Sequence, residues 1–220
     1  MIREKIERLT LEGDIVPKYM EPIADQFPEF MLMRNIYNCA IREVSTKLDN
    51  LDDEFQVRYD YNPIHHMESR LKTIKSILEK MEKKGIDVCL ENIIQITDVA
   101  GVRVICNYID DVYEVAELLL RQDDIRLIRR SDYIKNPKPS GYRSLHLVVE
   151  IPVFLSDRTE FVPVEIQLRT IAMDTWASLE HELKYKRKGG LTEEISQELI
   201  ACADAMAEVD RTMERIHKNL

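Results

Sequence analysis

Two segments of this chain, residues 138–150 and 162–170, show the period-two alternation that is typical of β-strands. Apolar residues occupy every second position along most of each segment, and the opposite face carries Tyr142, Ser144, His146, Glu165, Gln167 and Arg169. Since an apolar face packs on a core, we expect two paired strands. Their other face combines an aromatic ring, an imidazole, a carboxylate, an amide and a guanidinium, which suits a nucleotide and a metal ion. A solvated polar face is the alternative interpretation.

A third predicted strand, within residues 96–108, contributes a second carboxylate. Asp98 stands at its start, and Gly101 lets another group approach the backbone closely. A carboxylate at a strand edge is a common magnesium ligand, although a lone aspartate is more often a turn residue or a cap. Asp98 and Glu165 together are therefore expected to bind Mg²⁺.

Helical spacing of apolar residues accounts for most of the remaining chain. We predict helices over about 28–55, 62–85, 111–121, 171–186 and 192–216, a further short strand over 125–130, and a short helix with a loop in 1–25. Helices as long as the one that follows Pro28 and the last one usually pack on another helix or on a second subunit. This order of elements predicts one α+β domain with a central sheet and helical extensions at both ends.

Basic residues recur at a regular spacing in the segment 62–85. Lys72, Ser76 and Lys80 are four residues apart and would form one column on a helix, with Arg70 nearby. Two cations beside a hydroxyl suit a phosphate chain, whereas a solvent-facing column is the commoner interpretation. The other basic residues near the predicted strands are Arg103, Lys135, Lys138, Arg143 and Arg169.

The composition argues against several classes of protein. A net charge of −9 over 220 residues disfavours a nucleic-acid partner, because a backbone-binding surface needs excess positive charge. No segment approaches the length of an apolar membrane span, and the N-terminal residues have no apolar run of a signal peptide. The four cysteines lack metal-ligand spacing and are interpreted as reduced, mostly buried thiols of a cytoplasmic protein. Neither a P-loop nor a kinase-type glycine loop is present.

Five motifs, in this order, resemble the synthetase domain of the RelA/SpoT family. They are Arg70-x-Lys72-x3-Ser76-x3-Lys80, Asp98-Val-Ala-Gly-Val-Arg103, Gly141-Tyr-Arg-Ser-Leu-His146, Val164-Glu-Ile-Gln-Leu-Arg-Thr170 and Trp176-Ala-Ser-Leu-Glu-His181. A short chain with helices on both sides resembles the small alarmone synthetases, the single-domain branch. The resemblance implies a nucleotidyltransferase-like fold with a mixed, largely antiparallel sheet, divided into N-terminal helices (1–60), a synthetase domain (61–187) and a C-terminal helix (188–220).

The family transfers a pyrophosphoryl group from ATP to the 3′-hydroxyl of GDP or GTP, which gives (p)ppGpp and AMP. The resemblance implies this activity here, with Mg²⁺ as cofactor and a homotetramer built through the terminal helices. The rival interpretation is a non-catalytic nucleotide-binding regulator that keeps the pocket. Asp98 and Glu165 speak against it, because binding alone does not need a base. An RNA-binding module is disfavoured by the acidic charge.

The resemblance also implies a role for each matching residue. Residues expected to bind ATP are Arg70 and Arg103 at the adenine, and Lys72, Ser76 and Lys80 at the phosphates. Residues expected to bind GDP or GTP are Tyr142, which stacks on the guanine, Lys138, Arg143 and His146 near the phosphates, and Gln167 and Arg169 on the same face. Asp98 is expected to bind the metal, and Glu165 to deprotonate the 3′-hydroxyl or to help hold the metal.

Three positions depart from the family's pattern. Ser131 replaces a lysine that many relatives carry before the Asp-Tyr pair at 132–133. Asp174 replaces an acceptor-side asparagine. The segment His66-Met-Glu-Ser-Arg70 replaces a Phe-x-x-Gly-Arg pattern that relatives activated by their own product carry, so that allosteric cleft is not expected here.

Overall fold

A computed structural model describes residues 27–186 and 192–219 of the chain. Its elements are α1 (Phe27–Arg58), β1 (Ile64–Leu71), α2 (Ile74–Lys83), a 3₁₀ helix (Leu90–Gln95), β2 (Ala100–Cys106), α3 (Ile109–Leu120), β3 (Arg126–Asp132), β4 (Leu145–Phe154), β5 (Thr159–Thr170), α4 (Ile171–Lys186) and α5 (Glu193–His217). The five strands form one sheet in the order β1-β2-β5-β4-β3. The predicted α+β architecture, a mixed sheet with helices before and after it in the chain, is confirmed.

The strand pair from which the sequence interpretation began corresponds to β4 and β5, which are neighbours in the sheet. A short turn joins them, in which Leu155 N donates to Arg158 O at 2.8 Å, and so short a connection requires antiparallel strands. The first strand begins at Leu145, later than predicted. Residues 138–141 form a turn instead, because Gly141 has a φ of +88° and its N–H donates to Lys138 O at 2.8 Å.

The prediction of one helix over 62–85 was wrong. Residues up to Leu71 form β1, and α2 begins only after Thr73, whose Oγ1 accepts from Ser76 N at 3.2 Å. β1 is an edge strand whose residues are mostly exposed, so it has no clean alternation of apolar and polar residues. The spacing of its few apolar residues imitated a helix. Asn62, the expected helix cap, instead accepts from Ile64 N at 2.9 Å at the start of β1.

The other predicted elements agree with the structure to within a few residues. Thr192 caps α5 as expected and accepts from Ile195 N at 3.4 Å. The helix and loop predicted for 1–25 and the stop predicted at Gly189-Gly190 lie outside the described residues. The domain boundaries at 60/61 and 187/188 stay a prediction. Within the described ranges, no helix combines the length and the apolar character needed to cross a membrane. The four cysteines are free, but only Cys106 is buried, contrary to expectation.

The described residues divide into two compact units. The first unit contains residues 27–45, 69–102 and 148–165, and the second contains 46–68, 103–147, 166–186 and 192–219. The core of the first unit includes the buried face of α2, formed by Ile74, Ile77, Leu78 and Met81. The core of the second includes the buried face of α3, formed by Val112, Val115, Ala116 and Leu119. Each unit carries its own group of candidate residues.

Candidate active site

In the first unit, Asp98 is held by two lysines. Its Oδ2 accepts from Lys72 Nζ at 2.8 Å and from Lys80 Nζ at 2.5 Å. Lys80 lies on α2, whereas Lys72 lies before the helix, where its backbone N–H donates to Val99 O at 2.8 Å. The structure therefore brings the two lysines together around one carboxylate, although they do not form the helical column that the spacing suggested. We call Asp98, Lys72 and Lys80 the Asp98 group.

The Asp98 carboxylate is largely buried and stays ionised. Burial on its own would raise its pKa, but the hydrogen bonds and charges of Lys72 and Lys80 outweigh that effect and lower the pKa below its usual value. Its Oδ1 atom is buried and has no hydrogen-bond partner among the described residues. Leaving such an acceptor unpaired costs about 1–3 kcal/mol, so the atom suits a cation.

The donor set of the Asp98 group fits Mg²⁺ better than a metal that needs a complete protein cage. No cluster of three or more His, Cys, Asp or Glu side chains able to hold a metal forms within the described residues. Mg²⁺ is usually bound by one or two carboxylates, with substrate phosphates and water as its other ligands. Asp98 supplies one such carboxylate. A shared metal between Asp98 and Glu165 stays a prediction.

Glu165, Arg70 and Ser76 also belong to the first unit. Glu165 is partly exposed on β5 between the buried Val164 and Ile166. Arg70 is exposed near the end of β1, and Ser76 lies in the first turn of α2, where its Oγ accepts from Thr73 Oγ1 at 2.9 Å. The strand position fixes the backbone of Glu165, and the residue is partly exposed.

Gly101 on β2 lies close to the backbones of Arg70 and Glu165. A Cβ there would lie 3.6 Å from Arg70 O and 3.9 Å from Glu165 O. Both are ordinary contact distances, so no neighbouring protein group demands a glycine at this position. The expected close approach of another group to the Gly101 backbone stays a prediction.

In the second unit, Tyr142 is the centre of a polar cluster. Its hydroxyl accepts a hydrogen bond from Arg169 NH2 at 2.7 Å and lies 2.8 Å from His146 Nε2. Because a guanidinium can only donate, the hydroxyl is the acceptor from Arg169, and the tautomer of His146 decides whether the hydroxyl or the imidazole donates in their contact. Arg169 is buried, and it also donates to Gln167 Oε1 at 2.9 Å. The structure thus brings together four of the residues predicted to bind the acceptor nucleotide.

Cations and a second ring surround the ring of Tyr142. Lys138 Nζ lies 4.7 Å from its centroid and 4.5 Å from that of Tyr133, and the Arg169 guanidinium carbon lies 5.1 Å from the Tyr142 centroid. Tyr133 packs edge-on against His146, with centroids 5.2 Å apart. Sequence reasoning gave Tyr133 no role. The available signal was an aromatic residue directly before the lysine-containing loop.

Asp174 joins Arg169 to Arg103. Its Oδ1 lies 2.9 Å from Arg169 NH1 and 3.4 Å from Arg103 NH1. Arg103 NH1 also lies 3.3 Å from Glu68 Oε2, so two carboxylates hold this guanidinium. The Nε atoms of Arg103 and Arg169 are buried, with no hydrogen-bond partner among the residues described. The sequence gave no sign of this network.

Arg143 contacts α5. Its NH1 donates to Ala203 O at 3.2 Å and to Gly141 O at 3.1 Å, and its NH2 donates to Asp204 Oδ1 at 2.9 Å. Gly141 packs so closely on the same helix that a Cβ at this position would lie 2.7 Å from Ala203 Cβ. Arg143 therefore anchors the loop before β4 to α5. Its predicted contact with the acceptor phosphates stays a prediction.

Comparison with known proteins gives consistent matches. The family described as a region found in RelA / SpoT proteins matches residues 69–190, which include every candidate site residue. The GTP pyrophosphokinase YwaC of Bacillus subtilis is 41% identical over 186 residues, which are 84% of this chain and 89% of that protein.

Solved structures share the fold. The small alarmone synthetase 1 from Bacillus subtilis bound to its product pppGpp has a TM-score of 0.82 at 35% identity, over 89% of this chain and 98% of that chain. The same synthetase bound to AMPCPP has a TM-score of 0.74 at 33% identity, over 89% and 97% of the two chains.

Proposed function

Because the chain belongs to the RelA/SpoT family, we propose that it transfers the pyrophosphate group of ATP to the 3′-hydroxyl of GDP or GTP, which gives (p)ppGpp and AMP. The observation that carries the proposal is the Asp98 group, in which two lysines hold one oxygen of a carboxylate whose other oxygen is buried and unpaired. A relative of 41% identity named as a GTP pyrophosphokinase and a solved relative bound to pppGpp support it.

The Asp98 group acts on the phosphates of ATP. The Asp98 carboxylate would hold Mg²⁺, which would supply charge neutralisation for the transferred group. Lys72 and Lys80 add two positive charges beside this position, and Ser76 offers a hydroxyl on the first turn of α2. Arg70 and Arg103 bind the adenine of ATP, as the resemblance to the family implies. Positioning and electrostatics provide most of the catalysis in this class of reaction.

The Tyr142 cluster binds the acceptor nucleotide. The guanine stacks on the Tyr142 ring, a contact worth about 1–3 kcal/mol for a base on an aromatic side chain. Lys138 Nζ lies 4.7 Å from the centroid of this ring and supplies a positive charge for the acceptor phosphates. His146 and Arg169 hold the phenol oxygen from two sides, so the ring keeps its orientation.

Glu165 is the general base for the 3′-hydroxyl. A ribose hydroxyl is a weak nucleophile at neutral pH, and a positioned base typically contributes about 10²–10⁴ in rate. The carboxylate is carried by a strand, which limits its movement more than a loop would. A role as a second metal ligand is the alternative for this residue.

The assembly is a homotetramer in the cytoplasm. Most of the apolar stripe of α1 is already buried within the single chain, including Phe30, Val44 and Leu48. On α5, in contrast, Val209, Met213 and Ile216 are about half exposed and lie on one face at a spacing of four and three. The interface is therefore formed mainly by α5. The net charge of −9 keeps nucleic acid from being the main partner.

Incubation of the purified protein with labelled ATP, Mg²⁺ and each of GDP, GTP and GMP tests the function. We expect AMP and a guanosine 3′-pyrophosphate as products. Asp98→Asn is expected to leave less than about a tenth of the activity, which corresponds to an activation barrier that is higher by at least roughly 1.4 kcal/mol. Asp87→Asn, an exposed aspartate of the same unit, is the matched control and should stay active. Nucleotide binding without transfer by the wild type would overturn the proposal.

A further inference from the structure

We propose that Asp174 is a positioning residue that couples the binding of the two nucleotides. The proposal rests on the proposed function, in which Arg103 contacts ATP and Tyr142 contacts the acceptor. Asp174 lies in the first turn of α4, and its side chain is 20% exposed. Its carboxylate contacts both Arg103 and Arg169, so the binding of one nucleotide acts on the site of the other through these two arginines.

One oxygen of Asp174 serves both guanidinium groups. Oδ1 lies 2.9 Å from Arg169 NH1 and 3.4 Å from Arg103 NH1. Two cations thus contact the same oxygen atom, and displacement of either changes the contact with the other. Loss of the negative charge would leave the two cations to repel each other in a partly buried place, where charges interact more strongly than in water.

On the acceptor side, Asp174 fixes Arg169. The Arg169 side chain is only 6% exposed, and its contact with Asp174 provides a counter-charge for this buried cation. With NH1 held, NH2 points to Tyr142 OH at 2.7 Å and to Gln167 Oε1 at 2.9 Å. The orientation of the ring on which the guanine stacks therefore depends on Asp174.

On the side of ATP, which donates the pyrophosphate, Asp174 and Glu68 both contact the guanidinium of Arg103. The Glu68 carboxylate is 59% exposed and lies 3.3 Å from Arg103 NH1. A base that settles on the Arg103 guanidinium restrains it, because a cation over an aromatic face is attracted to it. Arg103 then holds Asp174, and Asp174 holds Arg169 and the Tyr142 hydroxyl before the acceptor arrives. Such preorganisation lowers the cost of ordering the second site.

Thermodynamic linkage makes the effect reciprocal. If ATP tightens the binding of GDP by some factor, GDP must tighten the binding of ATP by the same factor. We expect this interaction factor to be about fivefold or more in the wild type, the lower end of ordinary couplings between sites. The charge of Asp174 is the part of the network that carries it.

Asp174→Asn is the test variant, since it keeps the shape and one acceptor atom but removes the charge. Glu68→Gln is the matched control, because it removes the other carboxylate of Arg103 without contacting Arg169. Binding of GDP is measured calorimetrically with and without AMPCPP, and binding of AMPCPP with and without GDP. We expect the interaction factor to fall to about one in Asp174→Asn and to persist in Glu68→Gln, which changes mainly the AMPCPP affinity.

A factor of one in the wild type, or an unchanged factor in Asp174→Asn, would overturn the proposal. A merely structural role would lower the thermal midpoint or both affinities and leave the factor intact. If Asp174→Asn does not fold, Asp174→Ser serves in its place, with the same expected loss. The proposed function fails separately, when the wild type forms no product from ATP and GDP, and the calorimetric factor does not depend on turnover.

Discussion

The buried guanidinium of Arg169 donates a hydrogen bond to the hydroxyl of Tyr142 at 2.7 Å. The same hydroxyl lies 2.8 Å from His146 Nε2, so two groups fix the polar end of the ring. A ring held in this way loses little freedom when a flat partner stacks on it, which favours binding. This restraint supports the proposal that the guanine of the acceptor stacks on Tyr142.

Tyr142→Ala should act mainly on the acceptor. Losing a stack of roughly 1–3 kcal/mol raises the KM for GDP or GTP by about ten- to a hundredfold and changes the KM for ATP much less. Tyr142→Phe is the matched control, since it keeps the ring and removes only the hydroxyl; its increase should be only a few-fold. Steady-state kinetics with each substrate varied in turn give the KM for ATP and the KM for the acceptor in both variants. Equal weakening of both substrates by Tyr142→Ala would contradict the assignment.

Glu165→Gln should lower kcat by about 10²–10⁴ and nearly preserve the affinity for ATP, because the amide keeps the shape and removes the basicity. Glu160→Gln on the same strand is the control; Glu160 is paired with Arg158 at 2.6 Å and is 41% exposed. The measurement is kcat as a function of Mg²⁺ concentration. If Glu165 only held the metal, excess Mg²⁺ would restore much of the lost rate.

Arg143→Ala and Asp204→Ala should impair acceptor binding through the same interaction. Both remove the 2.9 Å pair between the loop before β4 and α5. Because Asp204 is mostly exposed, the pair is worth at most about 1 kcal/mol, so Asp204→Ala should raise the acceptor KM by about two- to fivefold. The double variant should be no worse than Arg143→Ala alone. If Asp204→Ala leaves the acceptor KM unchanged while Arg143→Ala raises it strongly, the result would instead indicate direct contact of Arg143 with phosphate.

The stability with which α5 packs within the second unit should depend on the ionisation of Asp210. Burial raises the pKa of this carboxyl, although the hydrogen bond from Thr170 Oγ1 at 2.6 Å opposes the shift. A raised folded pKa contributes stability that is complete below the unfolded pKa of about 3.9 and is lost as the pH rises through the folded value. Relative to the wild type, Asp210→Asn should therefore gain stability as the pH rises from about 4 to 7. Denaturant unfolding of both proteins at several pH values measures this difference in stability. A difference that grows in favour of Asp210→Asn as the pH falls would contradict the assignment.

Much of the sheet was predictable, because a half-buried strand leaves a period-two record in its sequence. β4 and β5 follow this rule, and so does the buried face of β2 after Asp98. β1 does not, since it lies at the edge of the sheet and most of its residues face solvent on both sides. Residues 64–71 form a strand because their backbone pairs with β2, although the spacing of their apolar residues is that of a helix.

The side-chain networks were less accessible from the sequence than the strands that carry them. Lys72, Lys80 and Asp98 were each candidates, but their convergence on one oxygen depends on where β1 ends. The contact of Arg103 with Asp174 joins residues far apart in the chain. No periodicity records such a contact, since it arises only when separate elements pack.

The close packing of Gly141 on Ala203 makes the size of a single methyl group significant. With 2.7 Å between the Ala203 methyl carbon and the place where a Cβ of residue 141 would stand, neither side has room to grow. A larger residue at position 203, sixty-two positions away in sequence, would push on the turn that presents Lys138 and Tyr142. If Lys138 and Tyr142 bind the acceptor as proposed, we expect a change on α5 that touches no substrate to alter the affinity for the acceptor.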